Sequence, residues 1–171
     1  MPNPEIRLLV LDVDGVLTDG TILVDEQGGA SRRFHVQDGL GIGLWRGVGR
    51  QAGILTSKRS GAVAARAEAL SIDFLEQGAE DKLPGFERMI AAARVTCDQV
   101  AYVGDDLLDA VVMRRVGYPI AVANAVDPIK GLARYVTRAA GGHGGVRDAI
   151  EHLLQREKQW DIALRTIGAD R

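Results

Sequence analysis

The sequence predicts an α/β fold in which a parallel β-sheet is covered by helices on both faces. Short apolar runs alternate with longer helical segments along the chain, which is the order of βαβ units. Several of these runs are continuous and stop at Asp, Thr or Gly, as buried parallel strands do. The chain has 171 residues, of which 46% are apolar, so it is long enough for one hydrophobic core. We therefore expect a single domain over residues 1–171.

The first predicted elements are a strand, a hairpin and a helix. Residues 8–11 are all apolar and precede an aspartate, which predicts a buried strand. Residues 21–24 and 31–36 are β-rich and flank a glycine-containing loop, which predicts a hairpin over about residues 20–37. Residues 40–48 are predicted to be helical, although each glycine there costs about 1 kcal/mol relative to alanine.

The remaining elements alternate between strand and helix. Further strands are predicted at residues 52–56, 74–76, 99–103, 119–123 and 135–137. Helices are predicted at residues 62–70, 83–93, 107–116 and 146–160, with a short helix opened by Asp127 and Pro128. A glycine-rich loop precedes the last helix, and residues 161–171 form a tail to which no element is assigned.

Composition excludes several classes of protein. The chain carries 21 basic and 23 acidic side chains, a balance that does not predict the basic surface of a nucleic-acid-binding protein. Cys97 is the one cysteine, which excludes an internal disulfide and a cysteine-rich metal site and fits a reducing compartment. No apolar run reaches the roughly 18 residues that cross a membrane, and residues 1–5 lack the layout of a signal peptide. We expect a cytoplasmic protein that binds neither nucleic acid nor membrane.

Polar side chains follow three of the predicted strands. Asp12 and Asp14 come after the first strand, and Thr56 ends the strand at residues 52–56. Asp105 and Asp106 follow the strand at residues 99–103. Because the carboxyl ends of parallel strands share one edge of a sheet, we expect these groups to converge there.

The converging residue types suit a metal ion and a phosphoryl group. Carboxylates of Asp12, Asp14 and Asp105 are the oxygen ligands that Mg²⁺ prefers. Lys82 and the Thr56 hydroxyl can hold phosphoryl oxygens as a point charge and a hydrogen-bond donor. Each residue alone has an ordinary explanation, such as a turn, a helix cap or a solvated lysine. Their combination at one sheet edge indicates phosphate chemistry.

Four motifs resemble those of the haloacid dehalogenase superfamily of phosphatases. The segment DVDGVLT at residues 12–18 resembles the first motif, DxDGxxT/S. Thr56, Lys82 and the segment GDDLLD at residues 104–109 match the second, third and fourth motifs in order. The resemblance covers about residues 6–145 and implies a Rossmann-like fold.

The resemblance also implies a mechanism through an aspartyl-phosphate. Asp12 would be the nucleophile, and Asp14 would be the general acid and then the general base. Mg²⁺ would be bound by the carboxylates of Asp12 and Asp105 and by the backbone carbonyl of Asp14. The phosphoryl oxygens would be held by Thr56 and Lys82, and the metal and the lysine would be supported by Asp106 and Asp109.

The spacing of the motifs favours a member of the superfamily without a cap domain. Members with a cap insert it between the first and second motifs or between the second and third. Here these two gaps are residues 15–55 and residues 57–81, and both are occupied by predicted elements of the fold. An active site without a cap is open to water. We therefore predict a homo-oligomer whose hairpin helps to form the interface.

Longer stretches resemble the capless 3-deoxy-D-manno-octulosonate 8-phosphate phosphatases. The similar segments are DVDGVLTDG at 12–20, FHVQDG at 34–39, YVGDD at 102–106 and AAGGHGGVR at 139–147. This resemblance implies a role in making the octulosonate sugar of lipopolysaccharide. It also implies a tetramer in which a neighbouring hairpin caps each site.

The sequence departs from that family at two positions. The second motif usually continues Thr/Ser-Gly-Arg, and here it reads Thr56-Ser57-Lys58-Arg59. Lys58 places a positive charge near the expected sugar carboxylate, whereas the related nonulosonate 9-phosphate phosphatases tend to have glutamate there. His143 replaces an arginine that is common in the glycine-rich loop. The candidate substrate-binding residues are Lys58, Arg59, Arg66 and His143.

Other functions remain as alternatives. A nonulosonate 9-phosphate phosphatase would share the motifs and differ in substrate. A non-catalytic regulatory domain of this fold is opposed by the presence of Asp12, Asp14 and Lys82. A signalling receiver domain would carry its phosphorylated aspartate after the third strand rather than the first. A dinucleotide-binding motif is incomplete, because Gly39 and Gly41 are not followed by the third glycine.

Overall fold

Six parallel strands form the central sheet of the protein, whose computed structural model describes residues 4–169. The strands are β1 (Leu8–Leu11), β2 (Leu23–Val24), β3 (Ala30–Ser31), β4 (Gln51–Thr56), β5 (Phe74–Gln77), β6 (Val100–Gly104), β7 (Tyr118–Ala121) and β8 (Tyr135–Val136). The helices are α1 (Val36–Gly47), α2 (Gly61–Ala69), α3 (Lys82–Ala93), α4 (Ala110–Met113), α5 (Asp127–Lys130), α6 (Gly145–Arg156) and α7 (Trp160–Thr166). The sheet order is β5–β4–β1–β6–β7–β8, and β2 and β3 pair separately as an antiparallel hairpin. The predicted fold class is confirmed.

The first strand lies in the middle of the sheet because all of its side chains are apolar. β1 pairs with β4 on one side and β6 on the other, and every residue of β1 and β6 is buried. Leu11, the last residue of β1, is in register with Ile54 and Val103. The residues that follow these three strands therefore leave the sheet at the same edge.

Helices cover both faces of this sheet. α1 packs on β4, α6 and α7, and α3 packs on β4, β5 and α4. Gly53 and Leu55 of β4 face α3, where Met89 and Gly85 lie close to them. Because successive strand residues point to opposite faces, Ala52 and Ile54 face the other helical layer.

The hairpin is shorter than predicted, and the helix after it begins earlier. Two residues on each strand pair, and Asp25 closes the connection by accepting hydrogen bonds from the amides of Gln27 and Gly29. Residues 32–35 are not part of a strand, and α1 begins at Val36 rather than at residue 40. The prediction of a strand over residues 31–36 is wrong because Arg32 leaves the hairpin to contact the end of the central sheet.

Two predicted helices are interrupted. The helix predicted over residues 107–116 is a 3₁₀ turn followed by α4, which ends at Met113. The helix predicted over residues 146–160 ends at Arg156, and a separate helix, α7, begins at Trp160 and extends to Thr166, into the predicted tail at residues 161–171. Lys158, between the two helices, has a φ of 57°. The chain leaves the helix here because Glu157 turns inward, accepts a hydrogen bond from the amide of Ile6 and pairs with Arg50.

The described residues contain no inserted cap domain between the strands of the sheet. Within residues 4–169, none of the helices has the length and apolar character needed to cross a membrane. Residues 1–3, part of the segment considered for a signal peptide, and residues 170–171, the end of the predicted tail, lie outside the described residues.

Candidate active site

The turn after β1 is shaped by a glycine and a threonine. Gly15 has a φ of 92°, and a Cβ atom there would lie 2.0 Å from Oδ2 of Asp105. The buried Thr18 accepts hydrogen bonds through Oγ1 from the amides of Gly15 and Gly20, at 3.3 and 3.2 Å. The turn therefore requires a residue without a side chain at position 15 and brings Asp12 and Asp14 to the sheet edge.

A buried lysine connects two of the predicted carboxylates. Lys82 is the first residue of α3, and its side chain is 3% exposed. Its Nζ donates to Oδ1 of Asp12 at 2.7 Å and to Oδ1 of Asp109 at 2.6 Å. Burial favours the neutral amine, but the charges of Asp12 and Asp109 outweigh it and raise the pKa of Lys82. Lys82 is therefore a fixed positive charge at the edge of the sheet.

Asp109 is fully engaged by hydrogen-bond donors. Besides Lys82, its Oδ1 accepts from the hydroxyl of Tyr102 at 2.6 Å. Its Oδ2 accepts from the backbone amides of Asp105 and Asp106, at 2.8 and 3.2 Å. Asp106 is the N-cap of the following 3₁₀ turn. Asp109 therefore holds the lysine and the loop together, and its oxygens are already satisfied.

The carboxylates of Asp12, Asp105 and Asp109 form a cluster whose oxygens lie within 4.8 Å of one another. Oδ1 of Asp105 is buried and has no hydrogen-bond partner within residues 4–169. Burial, followed by the charges of Asp12 and Asp109, raises the pKa of Asp105 to about 7. Burial raises the pKa of Asp12 to about 6, against the opposing effect of Lys82. The crowded oxygens of Asp12 and Asp105 fit a hard divalent cation such as Mg²⁺, which would relieve the repulsion among the carboxylates, whereas the oxygens of Asp109 are already occupied.

Asp14 differs from the other carboxylates because its side chain pairs with an arginine. Nε of Arg32 donates to Oδ1 of Asp14 at 2.7 Å, and Nη2 donates to Oδ2 at 3.2 Å. Arg32 was not among the predicted site residues, because its position in the predicted strand over residues 31–36 gave no reason to bring it to the sheet edge. Tyr102, which lies in the segment YVGDD, was likewise not among the predicted site residues.

A cavity of about 190 Å³ lies over these side chains. It is lined by Asp12, Asp14, Thr56, Ser57, Lys58, Lys82, Asp105, Asp106, Leu108 and Asp109. Thr56 is buried at the end of β4, and the hydroxyl of the adjacent Ser57 is buried without a hydrogen-bond partner in the described part of the chain. The cavity thus has hydroxyl and ammonium groups on one side and carboxylates on the other, a combination that suits a phosphoryl group near a metal ion.

Three of the predicted substrate-binding residues lie outside this lining. Arg59 packs beside Gly78, and Arg66 donates to the carbonyl of His35 at 3.4 Å. Nδ1 of His143 lies 3.1 Å from the carbonyl of Gly141, whose loop packs against the turn after β1. The structure therefore places Lys58 in the cavity lining and does not bring Arg59, Arg66 or His143 into it.

The chain is similar in sequence to a family of known proteins. The sequence profile of haloacid dehalogenase-like hydrolases matches residues 56–150. The 3-deoxy-D-manno-octulosonate 8-phosphate phosphatase of Yersinia pestis is 42% identical over 149 residues, which is 87% of this chain and 80% of that protein. The phosphatase of the same name from Escherichia coli strain K12 is 41% identical over 158 residues, covering 92% of this chain and 84% of that protein.

Solved structures are similar over nearly the whole chain. The Yersinia pestis phosphatase superposes with a TM-score of 0.89 at 40% identity, covering 91% of this chain and 84% of that one. The Moraxella catarrhalis phosphatase, in complex with a magnesium ion, a phosphate ion and the octulosonate sugar, has a TM-score of 0.90 at 34% identity. That match covers 95% of this chain and 93% of the other.

Proposed function

The chain belongs to the haloacid dehalogenase-like hydrolases and, within them, to the family of the 3-deoxy-D-manno-octulosonate 8-phosphate phosphatases, and we propose that it hydrolyses that sugar phosphate to the free sugar acid and inorganic phosphate. The observation that carries the proposal is the contact of Lys82 with Asp12 at 2.7 Å, beside Asp105 and in one cavity with Thr56. This arrangement supplies a nucleophile, a metal site and phosphate-binding groups within the same 190 Å³.

In the first step, a carboxylate oxygen of Asp12 bonds to phosphorus while the bond from phosphorus to the sugar oxygen breaks. Asp14 donates a proton to that sugar oxygen as it leaves. Thr56, Ser57 and Lys82 hold the phosphoryl oxygens through the hydroxyls and the ammonium group that line the cavity.

In the second step, water attacks the phosphorus of the aspartyl-phosphate, and Asp14 takes a proton from the water. The bond to Asp12 then breaks, releasing phosphate and restoring both carboxyl groups. Asp109 and Asp106 keep Lys82 and the β6 loop in place through the hydrogen bonds described above.

Mg²⁺ would be held by the carboxylates of Asp12 and Asp105 and by the backbone carbonyl of Asp14, and when bound it neutralises charge as two anions approach. Asp109 is a poor further ligand because four donors already occupy its oxygens. The buried, unpartnered Oδ1 of Asp105 supports this assignment. The Moraxella catarrhalis relative, which contains magnesium, is consistent with it.

The octulosonate is favoured over a nonulosonate by the residue at position 58. Lys58 lines the cavity and can attract the carboxylate of a sugar acid, although it lacks the bidentate fork of an arginine. We propose that Arg59, Arg66 and His143 contribute to the outer part of the substrate site in the assembled protein. Because they lie outside the lining that holds the phosphate-binding groups, they would contact the sugar rather than the phosphate.

We further propose a homotetramer in which the hairpin of a neighbouring subunit caps the site. Leu23 and Val24 on the hairpin are 57% and 68% exposed, and Leu108, which lines the cavity, and its neighbour Leu107 are similarly exposed. Apolar side chains of this kind on a small protein commonly mark a contact with another chain. Sedimentation of the purified protein, compared with a variant in which Leu23 and Val24 are both replaced by serine, tests this. We also propose a cytoplasmic location, which suits the free thiol of Cys97.

Phosphate release by the purified, Mg²⁺-loaded protein tests the substrate. We would compare 3-deoxy-D-manno-octulosonate 8-phosphate with nonulosonate 9-phosphates and simple sugar phosphates, each with and without chelator. A preference for the octulosonate that chelator abolishes would support the proposal. Equal and slow turnover of every substrate would remove the octulosonate assignment but keep the phosphatase. Turnover of none would favour a regulatory domain.

A further inference from the structure

Arg32, the residue after the hairpin strand β3, contacts a side chain of the cavity. It follows β3, and its side chain is only 5% exposed, although the hairpin strands themselves are exposed. Its guanidinium binds both oxygens of Asp14, through Nε at 2.7 Å and Nη2 at 3.2 Å. This two-point contact fixes the plane of the Asp14 carboxyl group as well as its distance.

A second contact anchors the arginine itself. Nη1 of Arg32 donates to Oγ of Ser60 at 3.1 Å, and Ser60 is the N-cap residue of α2. The amide of Ser60 in turn donates to Oε1 of Gln77 at 2.8 Å, at the end of β5. The guanidinium is therefore held between the turn after β1 and the start of α2, so Asp14 cannot rotate without breaking these contacts.

The position of Arg32 indicates that it acts through Asp14 and not on the substrate. Asp14 lines the cavity, whereas Arg32 is outside the ten described residues that do so. An arginine side chain does not release its proton in proteins, and the hydrogen bond to Asp14 raises the pKa of Arg32 further. Arg32 can therefore orient Asp14 but cannot replace it in proton transfer.

We propose that Arg32 is a positioning residue that holds the Asp14 carboxyl group in line with the leaving oxygen of the substrate. The inference rests on the proposed role of Asp14 as proton donor in the first step. Arg32, which follows the hairpin strand β3 and lies outside the cavity lining, thereby acts on catalysis through Asp14. The orientation of the proton donor then depends on the segment that we expect to lie at the subunit interface.

Loss of an arginine that orients Asp14 should affect two kinds of substrate differently, whereas loss of a merely structural arginine should affect them equally. A sugar alkoxide is a poor leaving group and needs a proton as it departs, so its release depends on the orientation of Asp14. The p-nitrophenolate ion leaves readily without a proton. Loss of Arg32 should therefore slow hydrolysis of the sugar phosphate much more than hydrolysis of p-nitrophenyl phosphate.

The test compares kcat/KM for the two substrates in Arg32→Ala, Arg32→Lys and Arg33→Ala. Arg33 is the matched control, because it neighbours Arg32 but its side chain is 76% exposed and pairs with Asp19 instead. Since a general acid contributes about 10²–10⁴-fold, we expect Arg32→Ala to lower kcat/KM for the sugar phosphate by about tenfold or more. For p-nitrophenyl phosphate we expect a change of less than about threefold. Arg32→Lys should lie between the two, and Arg33→Ala should match the parent on both substrates.

Equal losses on both substrates would overturn the proposal, because they would show that Arg32 only maintains the fold or the assembly. Unchanged kcat/KM for the sugar phosphate would overturn it as well. Asp12→Asn in the same assays separates this inference from the proposed function. If Asp12→Asn is inactive while Arg32→Ala loses both activities equally, only the inference about Arg32 fails. If Asp12→Asn retains turnover, the proposed function itself fails.

Discussion

Lys82 and Asp12 are 70 residues apart in the chain, yet their side chains meet at 2.7 Å at the carboxyl edge of the sheet. The contact is nearly inaccessible to solvent, and Asp109 receives a second hydrogen bond from the same ammonium group. Burying a lysine between two carboxylates costs free energy, because all three groups lose their hydration. Here the ammonium group also lines the cavity in which we place the phosphate.

Replacing Lys82 by methionine should impair both activity and stability. The change leaves Asp12 and Asp109 buried without their cation, and breaking a buried pair in this way costs about 3–5 kcal/mol. Loss of a phosphate-binding charge should lower kcat by about a hundredfold or more. Phosphate release and urea unfolding measure the two effects. Lys130→Met, which changes a lysine on α5, is the control, and a Lys82→Met enzyme as active as this control would contradict the account.

Tyr102 offers a subtler test of the same network. Tyr102→Phe keeps the buried ring but removes the hydroxyl that donates to Asp109 at 2.6 Å. We expect the free energy of unfolding to fall by about 1–3 kcal/mol, because a hydrogen bond to a buried charge is lost. A looser Asp109 and Lys82 should lower kcat by at least about threefold.

The matched control for that variant is Tyr118→Phe. The Tyr118 hydroxyl lies 2.8 Å from Nε2 of His152, in a contact that involves none of the cavity residues. This variant should lose stability and keep kcat. A Tyr102→Phe enzyme that loses stability but has the kcat of Tyr118→Phe would show that the hydroxyl has no part in positioning Lys82.

The convergence of the main site residues was predictable from the order of strands. β1 and β6 are continuous apolar runs, which is the pattern of strands buried on both faces, and each is followed by an aspartate. Parallel neighbours end at the same edge, so the proximity of Asp12 and Asp105 follows from local sequence together with sheet geometry.

The contacts that were missed depend on tertiary structure instead. The path of Arg32 from the hairpin to Asp14 has no local signal, because residues 31–36 read equally well as a continued strand. The break after α6 arises in the same way, since the segment over residues 146–160 is amphipathic throughout. Only the distant partners of Glu157, which are Arg50 and the amide of Ile6, explain why the helix ends.

Gly15→Ala should disrupt the metal site. The new methyl group would lie 2.0 Å from Oδ2 of Asp105, and the φ of 92° is unfavourable for alanine. Displacing Asp105 should weaken Mg²⁺-dependent activity by about 10–100-fold, the range found for changes that disturb metal ligands. Titration of phosphate release with Mg²⁺ measures the shift.

Gly49→Ala is the control for backbone strain. Gly49 also has a positive φ, 79°, but a Cβ atom there would have no neighbour within 4 Å. This variant should lose some stability and retain the parent's Mg²⁺ dependence. Equal Mg²⁺ curves for the two glycine variants would contradict the proposed role of Asp105 in holding the metal.

His152 should make folding sensitive to acid. Its ring stacks on Tyr135 with the centroids 3.7 Å apart, and burial followed by the charge of Arg156 lowers its pKa below 6.5. The folded protein therefore binds this proton less readily than the unfolded chain. The contribution of neutral His152 to the free energy of unfolding is complete at pH values above the ordinary pKa of histidine. It is lost as the pH falls through the lower pKa of the folded state.

Urea unfolding of the parent and of His152→Gln, at about pH 7.5 and about pH 5, isolates this effect, because other groups titrate in both proteins. On acidification the parent should lose more free energy of unfolding than the variant does. An equal or smaller loss in the parent would show that His152 does not remain preferentially neutral in the folded protein.

The most direct test of the central claim is phosphate release from 3-deoxy-D-manno-octulosonate 8-phosphate by the parent and by Asp12→Asn, both loaded with Mg²⁺. Circular dichroism and thermal unfolding would establish that the variant is folded. We predict rapid release by the parent and none above background by Asp12→Asn, because the amide cannot attack phosphorus. A folded Asp12→Asn protein that releases phosphate at a rate near that of the parent would contradict the account.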